Sequence, residues 1–450
     1  MKTLIKILTI LLFIPSLTYA QLEYHNWIFG DNVDFDPSEN ITGITFMTES
    51  GDPEYLNVKV SYYRDTSFYF LTKEGSASLS SQDGRLEYHT VDNGIVSFKL
   101  DTIVYDEDNT IVSMKEDTVI IEDSKLDGNL SGTQHVCIVR IGSKIIRIAT
   151  SSHFDDINPD LNILKQDLTY VTIETERNEF KLSAKKNIKK AYGGESIAII
   201  KDFESNSFYL IGNDRIEKQY YLFKYDIDSD SFIPKDTILS YMEPQMTEDG
   251  RTVLLGTIKV SQNGKFIVST LRGSHNGIEV LKFNRELEKL ELVKTFTDNE
   301  VIGDYLIKYS GDFSSNSEHF YLKGSKYFHV ITNFSEIQNL RIKRVSEEII
   351  GGDFGLQLAP NGKIYLVIAN QNYLSSIENP NDINNFQYIE KSVSLHETQG
   401  KWGFPNIPTT YYFQVSTDID SMEVCIGDEI NIETETLNEP ADAEYIWTNP

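Results

Sequence analysis

The sequence predicts an all-β chain: a β-propeller of about seven blades, followed by the start of an immunoglobulin-like sandwich. Three observations carry this. Short runs alternating apolar and polar residues recur from Trp27 onward, with 25 Tyr and 24 Phe among them, as strands half buried on each face require. No stretch of ten or more residues in the first 120 holds a 3.6-residue period. A hairpin unit then repeats: Asn206, Asn263, Asn316 and Asn361 sit at equivalent turns, 57, 53 and 45 residues apart, the interval of a four-stranded blade. The 393 residues from Gln21 to Phe413 hold seven such units, with eight as the other reading.

The clearest unit is GDFGLQLAPNGKIYLVIA. Strand Phe354 to Leu358 meets Ala359-Pro360-Asn361-Gly362, and a second strand follows to Ala369. Asn-Gly between apolar runs predicts a tight primed turn. LGTIKVSQNGKFIVSTL repeats it at Asn263-Gly264, and LIKYSGDFSSNSEHFYLKGS carries Asn316-Ser317 instead. Upstream, turns fall at Gly30-Asp31-Asn32, Arg64-Asp65-Thr66-Ser67, Asp83-Gly84, Asp106-Glu107-Asp108-Asn109 and Gly142-Ser143, then across Phe203 to Ser207. A blade ring normally closes by strand exchange between its ends, so Tyr24 to Phe29 is expected to pair beside Thr409 to Phe413.

The ends read differently. Lys2, Lys6, the apolar run Ile7 to Ile14 and Thr18-Tyr19-Ala20 have the order of a cleaved secretion signal. The apolar run falls short of the roughly 20 residues that span a bilayer, and no Cys follows the cleavage site to mark a lipoprotein. Residues 1–20 are thus the signal, 21–413 the propeller and 414–450 an incomplete domain. Past Phe413, Cys425, Gly427-Asp428, Ile430, Ile432 and Trp447 match the first half of an immunoglobulin-like fold. The expectation is a longer polypeptide, with no membrane span.

Formal charge is −27, or −29 without Lys2 and Lys6. Such a surface repels nucleic acid and gives no support to phosphate binding. Cys137 and Cys425 are the two cysteines of the chain. Placed in different domains, they are not expected to bridge, so the core must hold the fold.

NWIFGDNVDFDP resembles the opening of secreted propeller proteins of the Bacteroidetes. SSQDGRLEY, SGTQ, KVSQNGKFIV, LQLAPNGKIYLVIA, IENPND and GFPN are similar to that family's successive motifs. The resemblance runs from Gln21 to Tyr412. The opening is about two residues shorter than usual, and Tyr88 to Gly94 replace the family's Y-T-D-G-x-x-V-W stretch. It implies a gliding-motility-associated passenger of type IX secretion, carrying immunoglobulin-like or PKD-like modules. It also implies partnership with the secretion machinery if a sorting domain follows. Asp101-Thr102-Ile103, Asp117-Thr118-Val119, Asp236-Thr237-Ile238 and Asp420-Ser421-Met422 are similar to the O-glycan acceptors of that group.

No motif of known chemistry emerges. Asp226-Ile227-Asp228-Ser229-Asp230 starts like a calcium loop, yet Ser231 stands where Gly is required and Thr237 where a bidentate Glu is, which leaves a polar hairpin tip. Asp34-Asp36 and Asp418-Asp420 read the same way. His153 and His396 are isolated, and no H-E-x-x-H or G-x-S-x-G occurs. Tyr192-Gly193-Gly194-Glu195 lacks the Lys-Ser/Thr of a phosphate loop. The Asp-box of propeller sialidases has a spacer that Asp83-Gly84 and Asn361-Gly362 lack. Lys185-Lys186 and Lys189-Lys190 read as a solvated loop. No catalytic, cofactor-binding or metal residue is therefore assigned, and no cofactor.

The function expected on this basis is a secreted or surface, non-enzymatic binding protein contacting a protein or glycan. The alternative is a propeller hydrolase or lyase acting on extracellular polysaccharide, its residues scattered among loops. A third reading is a spacer that binds nothing. Arginines and carboxylates converging at the central channel would favour the enzyme.

Overall fold

The structure, a computed structural model, describes residues 24, 26–29, 41–46, 53–58, 76–81, 86–91, 94–98, 103–105, 111–114, 118–122, 135–142, 144–158, 163–176, 179–202, 207–243, 255–272, 274, 275, 277–297, 300, 306–324, 326–346, 354–396, 398–401, 403–408, 414–417 and 434–437. The signal, the turns at 30–32, 64–67, 83–84 and 106–109, Asn206, Thr409 to Phe413, Cys425 and Trp447 lie outside them. So do Asp34, Asp36, Asp418 and Asp420.

Seven antiparallel sheets follow one another along the chain. The first contains β1 (Asn26–Ile28), β2 (Ile41–Phe46) and β3 (Pro53–Val58). In the second, β4 (Ala77–Ser80), β5 (Leu86–Val91) and β6 (Gly94–Phe98) precede a separate hairpin of β7 (Ile103–Tyr105) and β8 (Ile111–Met114). Strand β9 (Thr118–Glu122) then completes that sheet against β6. The third has β10 (Val136–Ile141), β11 (Lys144–Asn158), β12 (Ile163–Glu176), β13 (Glu179–Leu182) and β14 (Lys186–Tyr192), the last two both pairing with β12.

The remaining four sheets are regular. They comprise β15 (Ile197–Asp202), β16 (Ser207–Asp214), β17 (Gln219–Asp226) and β18 (Ser231–Leu239); β19 (Ile258–Val260), β20 (Phe266–Thr270), β21 (Ile278–Asn284) and β22 (Lys289–Phe296); β23 (Leu306–Phe313), β24 (His319–Gly324), β25 (Phe328–Thr332) and β26 (Arg341–Arg344); and β27 (Phe354–Leu358), β28 (Ile364–Ile368), β29 (Tyr373–Ile377) and β30 (Tyr388–Ser394). A further pair, β31 (Gln414–Thr417) and β32 (Thr434–Leu437), lies beyond the ring. The blade number matches the seven read from the repeat. Among the described residues no helix is long and apolar enough to cross a membrane.

Each blade is apolar on both faces because each is sandwiched between neighbours. Ile197 and Ile199 of β15 pack toward the third sheet, whereas Ala198 and Ile200 face the fifth. The same alternation puts Val260 against the fourth sheet and turns Lys259 the other way. Among the described residues the innermost strands β4, β10, β15, β19, β23 and β27 each pair with one strand of their own sheet, and the other edge lies toward the channel.

The repeating turns differ from the primed type expected. Gly264, Ser317 and Gly362 have φ of 68°, 64° and 77°, and their N–H groups bond Ser261, Ser314 and Ala359 at 2.8, 3.0 and 3.0 Å. The preceding Asn stays at negative φ. This is a turn followed by a single left-handed residue, the longer hairpin loop. Asn supplies a side-chain acceptor: Asn263 Oδ1 takes Lys265 N–H at 3.0 Å, Asn316 Oδ1 takes Glu318 at 3.1 Å and Asn361 Oδ1 takes Lys363 at 3.2 Å.

The pairing expected of Tyr24 to Phe29 beside Thr409 to Phe413 falls outside the described residues. Among those described, β1 pairs with β2, and β27 to β30 form a sheet of their own. Side chains also join the first blade to the last. Trp27, fully buried, meets Phe46 at 4.8 Å, Phe404 at 5.2 Å and Tyr365 of β28 at 6.4 Å. Residues 398–408 form a strap that leaves the seventh sheet and enters the channel. Gly400 exchanges main-chain bonds with Asn370 and Gln371, each 2.9 Å. Pro405 then forms a parallel bridge with Ser76, and Asn406 N–H donates to Ser76 O at 2.7 Å. The strap thereby runs along the channel edge of the second sheet.

Candidate functional site

Two ends of the channel are distinguished by the chain path. At one, the innermost strands turn back through the Asn-centred hairpins. At the other, here the leading end, the chain feeds into each innermost strand, and the strap crosses there. The turn end accounts for the acidic hairpin tip. Asp230, at φ 46°, receives Lys186 Nζ at 2.7 Å, Tyr225 OH at 2.5 Å and Thr172 Oγ1 at 3.1 Å, so it ties sheets three and four together. The lysine cluster is correspondingly not a solvated loop. Lys186 and Lys189 lie on β14, paired with Asp230 and with Glu217 at 3.3 Å.

A buried ion pair lies in the channel interior. Lys259 Nζ lies 3.2 Å from Asp312 Oδ2 and also donates to Gln357 Oε1. Asp312 accepts Leu358 N–H at 2.9 Å and Phe313 N–H at 2.8 Å. Burial raises the Asp312 carboxyl above its ordinary range despite Lys259 beside it. Cys137, a buried free thiol, is raised far above its usual value by burial.

The leading end is where arginines and carboxylates meet. Arg215 and Arg272 stand 57 residues apart, just past β16 and β20, at equivalent positions in successive blades. Their N–H groups bond Gly193 O at 3.1 Å and Leu255 O at 2.8 Å. Arg215 is buried; Nη2 donates to Thr270 O at 2.7 Å, Nη1 lies 4.0 Å from Met242 Sδ, and Nε has no hydrogen-bond partner. Arg272 is half-buried, its guanidinium 6.0 Å from the Tyr309 ring centroid. Gly256 permits this packing: a Cβ there would fall 2.0 Å from Thr270 O and 3.1 Å from Arg215 Nη2.

Two carboxylates, Glu279 and Glu195, lie near the Arg215 guanidinium, and a third, Asp214, precedes it in the chain. Glu279 is fully buried and accepts from Tyr220 OH (2.8 Å), Ser240 Oγ (2.7 Å), Tyr241 N (2.6 Å) and Thr295 Oγ1 (3.3 Å). Asp214 accepts Ile216 and Glu217 N–H through Oδ1 at 3.1 and 2.9 Å, and burial raises its carboxyl. Glu195, 9% exposed, is the more accessible of the three and precedes β15 by two residues. Burial lowers the proton affinity of Arg215, opposed by Tyr220, Tyr192, Glu195 and Glu279 around it. Among the described residues no three of His, Cys, Asp or Glu are grouped to hold a metal ion.

Sequence reasoning assigned none of these residues. They come from separate blades, so no spacing motif joins them. The one signal available was that Arg215 and Arg272 repeat at the same interval as Asn206 and Asn263. A carboxylate beside donor-rich arginine can activate water and stabilise a developing oxyanion.

No protein-family profile matches the chain, and no curated protein matches it. Solved structures do match. A protein from Lactobacillus plantarum has TM-score 0.51 and 12% identity, covering 84% of this chain and 98% of that one. A candidate 6-phosphogluconolactonase from Bacteroides fragilis has TM-score 0.51 and 11% identity over 84% and 96%. One from Bacteroides uniformis has TM-score 0.51 and 13% identity over 83% and 97%. The chain shares their fold. At this identity the likeness establishes architecture alone, a β-propeller.

The expectation of a non-enzymatic binding protein is corrected here. Propellers of this architecture include two described as candidate 6-phosphogluconolactonases, and at the leading end Arg215 lies among carboxylates. The error has a physical origin: a propeller draws its functional side chains from several blades, so the absence of a local motif carried no weight against an enzyme.

Proposed function

We propose that the chain is a propeller hydrolase whose reacting group, a carboxylic ester or lactone of a sugar-derived compound, binds over the leading end of blades four to six. The observation that carries this reading is Glu195 beside the buried Arg215, with Arg272 at the equivalent position of the next blade, 6.0 Å from the Tyr309 ring centroid. Glu195 takes a proton from water as the water oxygen bonds the substrate carbonyl carbon. Arg272 steadies the developing oxyanion. The tetrahedral species then expels its alkoxide, which takes up a proton, leaving a carboxylate and an alcohol. Arg215, buried, positions Glu195 and does not touch substrate. The names of the two Bacteroides structures support the substrate class. Export is supported by Lys2, Lys6 and the apolar run before Ala20, and delivery by type IX secretion by the resemblance of the blade motifs.

The test is hydrolysis by the purified chain of a panel of aldonolactones, aryl esters and esterified polysaccharides, followed by pH-stat. Glu195→Gln and Arg272→Ala should each lower kcat/KM by about 100-fold or more, the size of one acid–base or oxyanion contribution. Wild-type protein inert on the whole panel, or Glu195→Gln matching wild type, refutes the reading.

A further inference from the structure

We infer that Asn406, delivered by the strap, is a positioning residue for Glu195, so that the site is assembled only when the strap is seated in the channel. The inference rests on the hydrolase reading for its catalytic consequence and on geometry for the coupling itself.

The strap reaches past the first blade. Phe404 packs on Phe29 at 5.0 Å as well as on Trp27, which anchors the strap against β1. Ser76 Oγ donates to Ile28 O at 3.1 Å, joining β1 to the strand that Pro405 bridges. From there the two amide hydrogens of Asn406 point onward. Nδ2 lies 2.7 Å from Cys137 Sγ on β10 and 2.9 Å from Ile197 O on β15. The segment 404–406 therefore touches the innermost strands of the second, third and fourth blades. Ile197 lies on an innermost strand, whose channel side carries no strand of its own sheet, and its buried carbonyl needs a donor there. Asn406 is that donor.

Ile197 begins β15, and Glu195 lies two residues before it. Several hydrogen bonds fix this short lead-in. Arg215 N–H holds Gly193 O at 3.1 Å. Tyr192 OH holds Ser196 O at 3.1 Å. Ser196 Oγ donates to Gly256 O at 2.5 Å, and Gly256 lies against the Arg215 guanidinium. Asn406 holds the far side. Without it, the lead-in keeps its links to blades four and five and loses its link to the strap. Glu195 then loses one of the constraints that aim it. Gly194 lies tight against the neighbouring strand, where a Cβ would fall 2.0 Å from Asn213 O.

The experiment uses the full chain with Asn406→Ala and, as control, Cys137→Ala, which removes the other Nδ2 partner and leaves Ile197 bonded. Hydrogen–deuterium exchange is read peptide by peptide, with ester or lactone turnover alongside. Asn406→Ala should raise exchange in residues 193–200 by about tenfold, the equivalent of one buried hydrogen bond, and leave residues 364–394 at wild-type rates. It should lower kcat by about tenfold with KM little changed, as expected for a misaimed general base. Cys137→Ala should do neither. Exchange that rises evenly in all blades, or nowhere, overturns the inference. If wild type hydrolyses nothing, the hydrolase reading fails, while the exchange pattern still decides whether the strap governs the Glu195 segment.

Discussion

Replacing Asp312 by Ala should cost about 4–8 kcal/mol of stability, from two losses that the geometry separates. Lys259 and Asp312 side chains are 6% and 0% exposed and 3.2 Å apart. Removing one member of such a pair strands the other charge, at about 3–5 kcal/mol. Leu358 N–H, 2.9 Å from Asp312 Oδ2, is also orphaned, at about 1–3 kcal/mol. Yet the intact pair is not a net source of stability. Burial raises the Asp312 carboxyl against the pull of Lys259, which means desolvation outweighs the attraction. The folded carboxyl then holds its proton more tightly than the unfolded one. Stability should fall as pH rises from 3.8 through the higher folded value. The double variant Lys259→Met with Asp312→Leu removes both charges together, and should recover about 3 kcal/mol relative to Asp312→Ala. Urea titration by tryptophan fluorescence and circular dichroism measures each midpoint. A loss below about 1 kcal/mol for Asp312→Ala, or a double variant no better than the single, would refute this account of the channel.

Two further substitutions test the seams between blades. Burial raises the Glu288 carboxyl, but Lys235 at 2.5 Å, Lys224 at 3.1 Å and Tyr209 at 2.9 Å outweigh it and bring it down to about 2 from 4.5. Its contribution is present above pH 4.5 and lost as pH falls toward 2. Glu288→Gln should therefore lower stability by about 1 kcal/mol at neutral pH, discounted for partial solvation, and flatten the acid limb of Tm against pH. An unchanged acid limb would show that the network does not act as drawn. Trp27→Ala removes the centre of the ring-closing cluster and should cost about 3–5 kcal/mol, read from the urea midpoint. A cost within 1 kcal/mol, on the scale of surface changes, would mean the ring closes elsewhere.

Strand alternation and turn spacing made the blades legible, because each blade is built locally from consecutive residues. The turn chemistry was half legible. Asn263, Asn316 and Asn361 marked the hairpins, yet the left-handed residue is the one after, and Ser317 at φ 64° shows that the backbone shape persists without Gly. What Asn contributes is its carbonyl oxygen, which no propensity rule distinguishes from its tolerance of positive φ. The site was illegible for the opposite reason. Glu195 meets Arg215, and Arg272 meets Tyr309, only through the folding of the sheets, a relation set by register rather than by intervals along the chain.

The Gly403-Phe404-Pro405-Asn406 run joins these two cases. As sequence it resembled a blade motif, a label for the end of the last repeat. In the fold it lies outside every sheet, bridging Ser76, Cys137 and Ile197 across the channel. Proline suits this path, since its nitrogen needs no acceptor where the strap first meets a strand edge. Asparagine suits the next position, since one amide reaches two strands that a backbone N–H alone could not. The residues that end the repeat are thereby the ones that hold its first four blades to its last, and the strand they grip in the fourth blade is the one that carries Glu195 into the leading end.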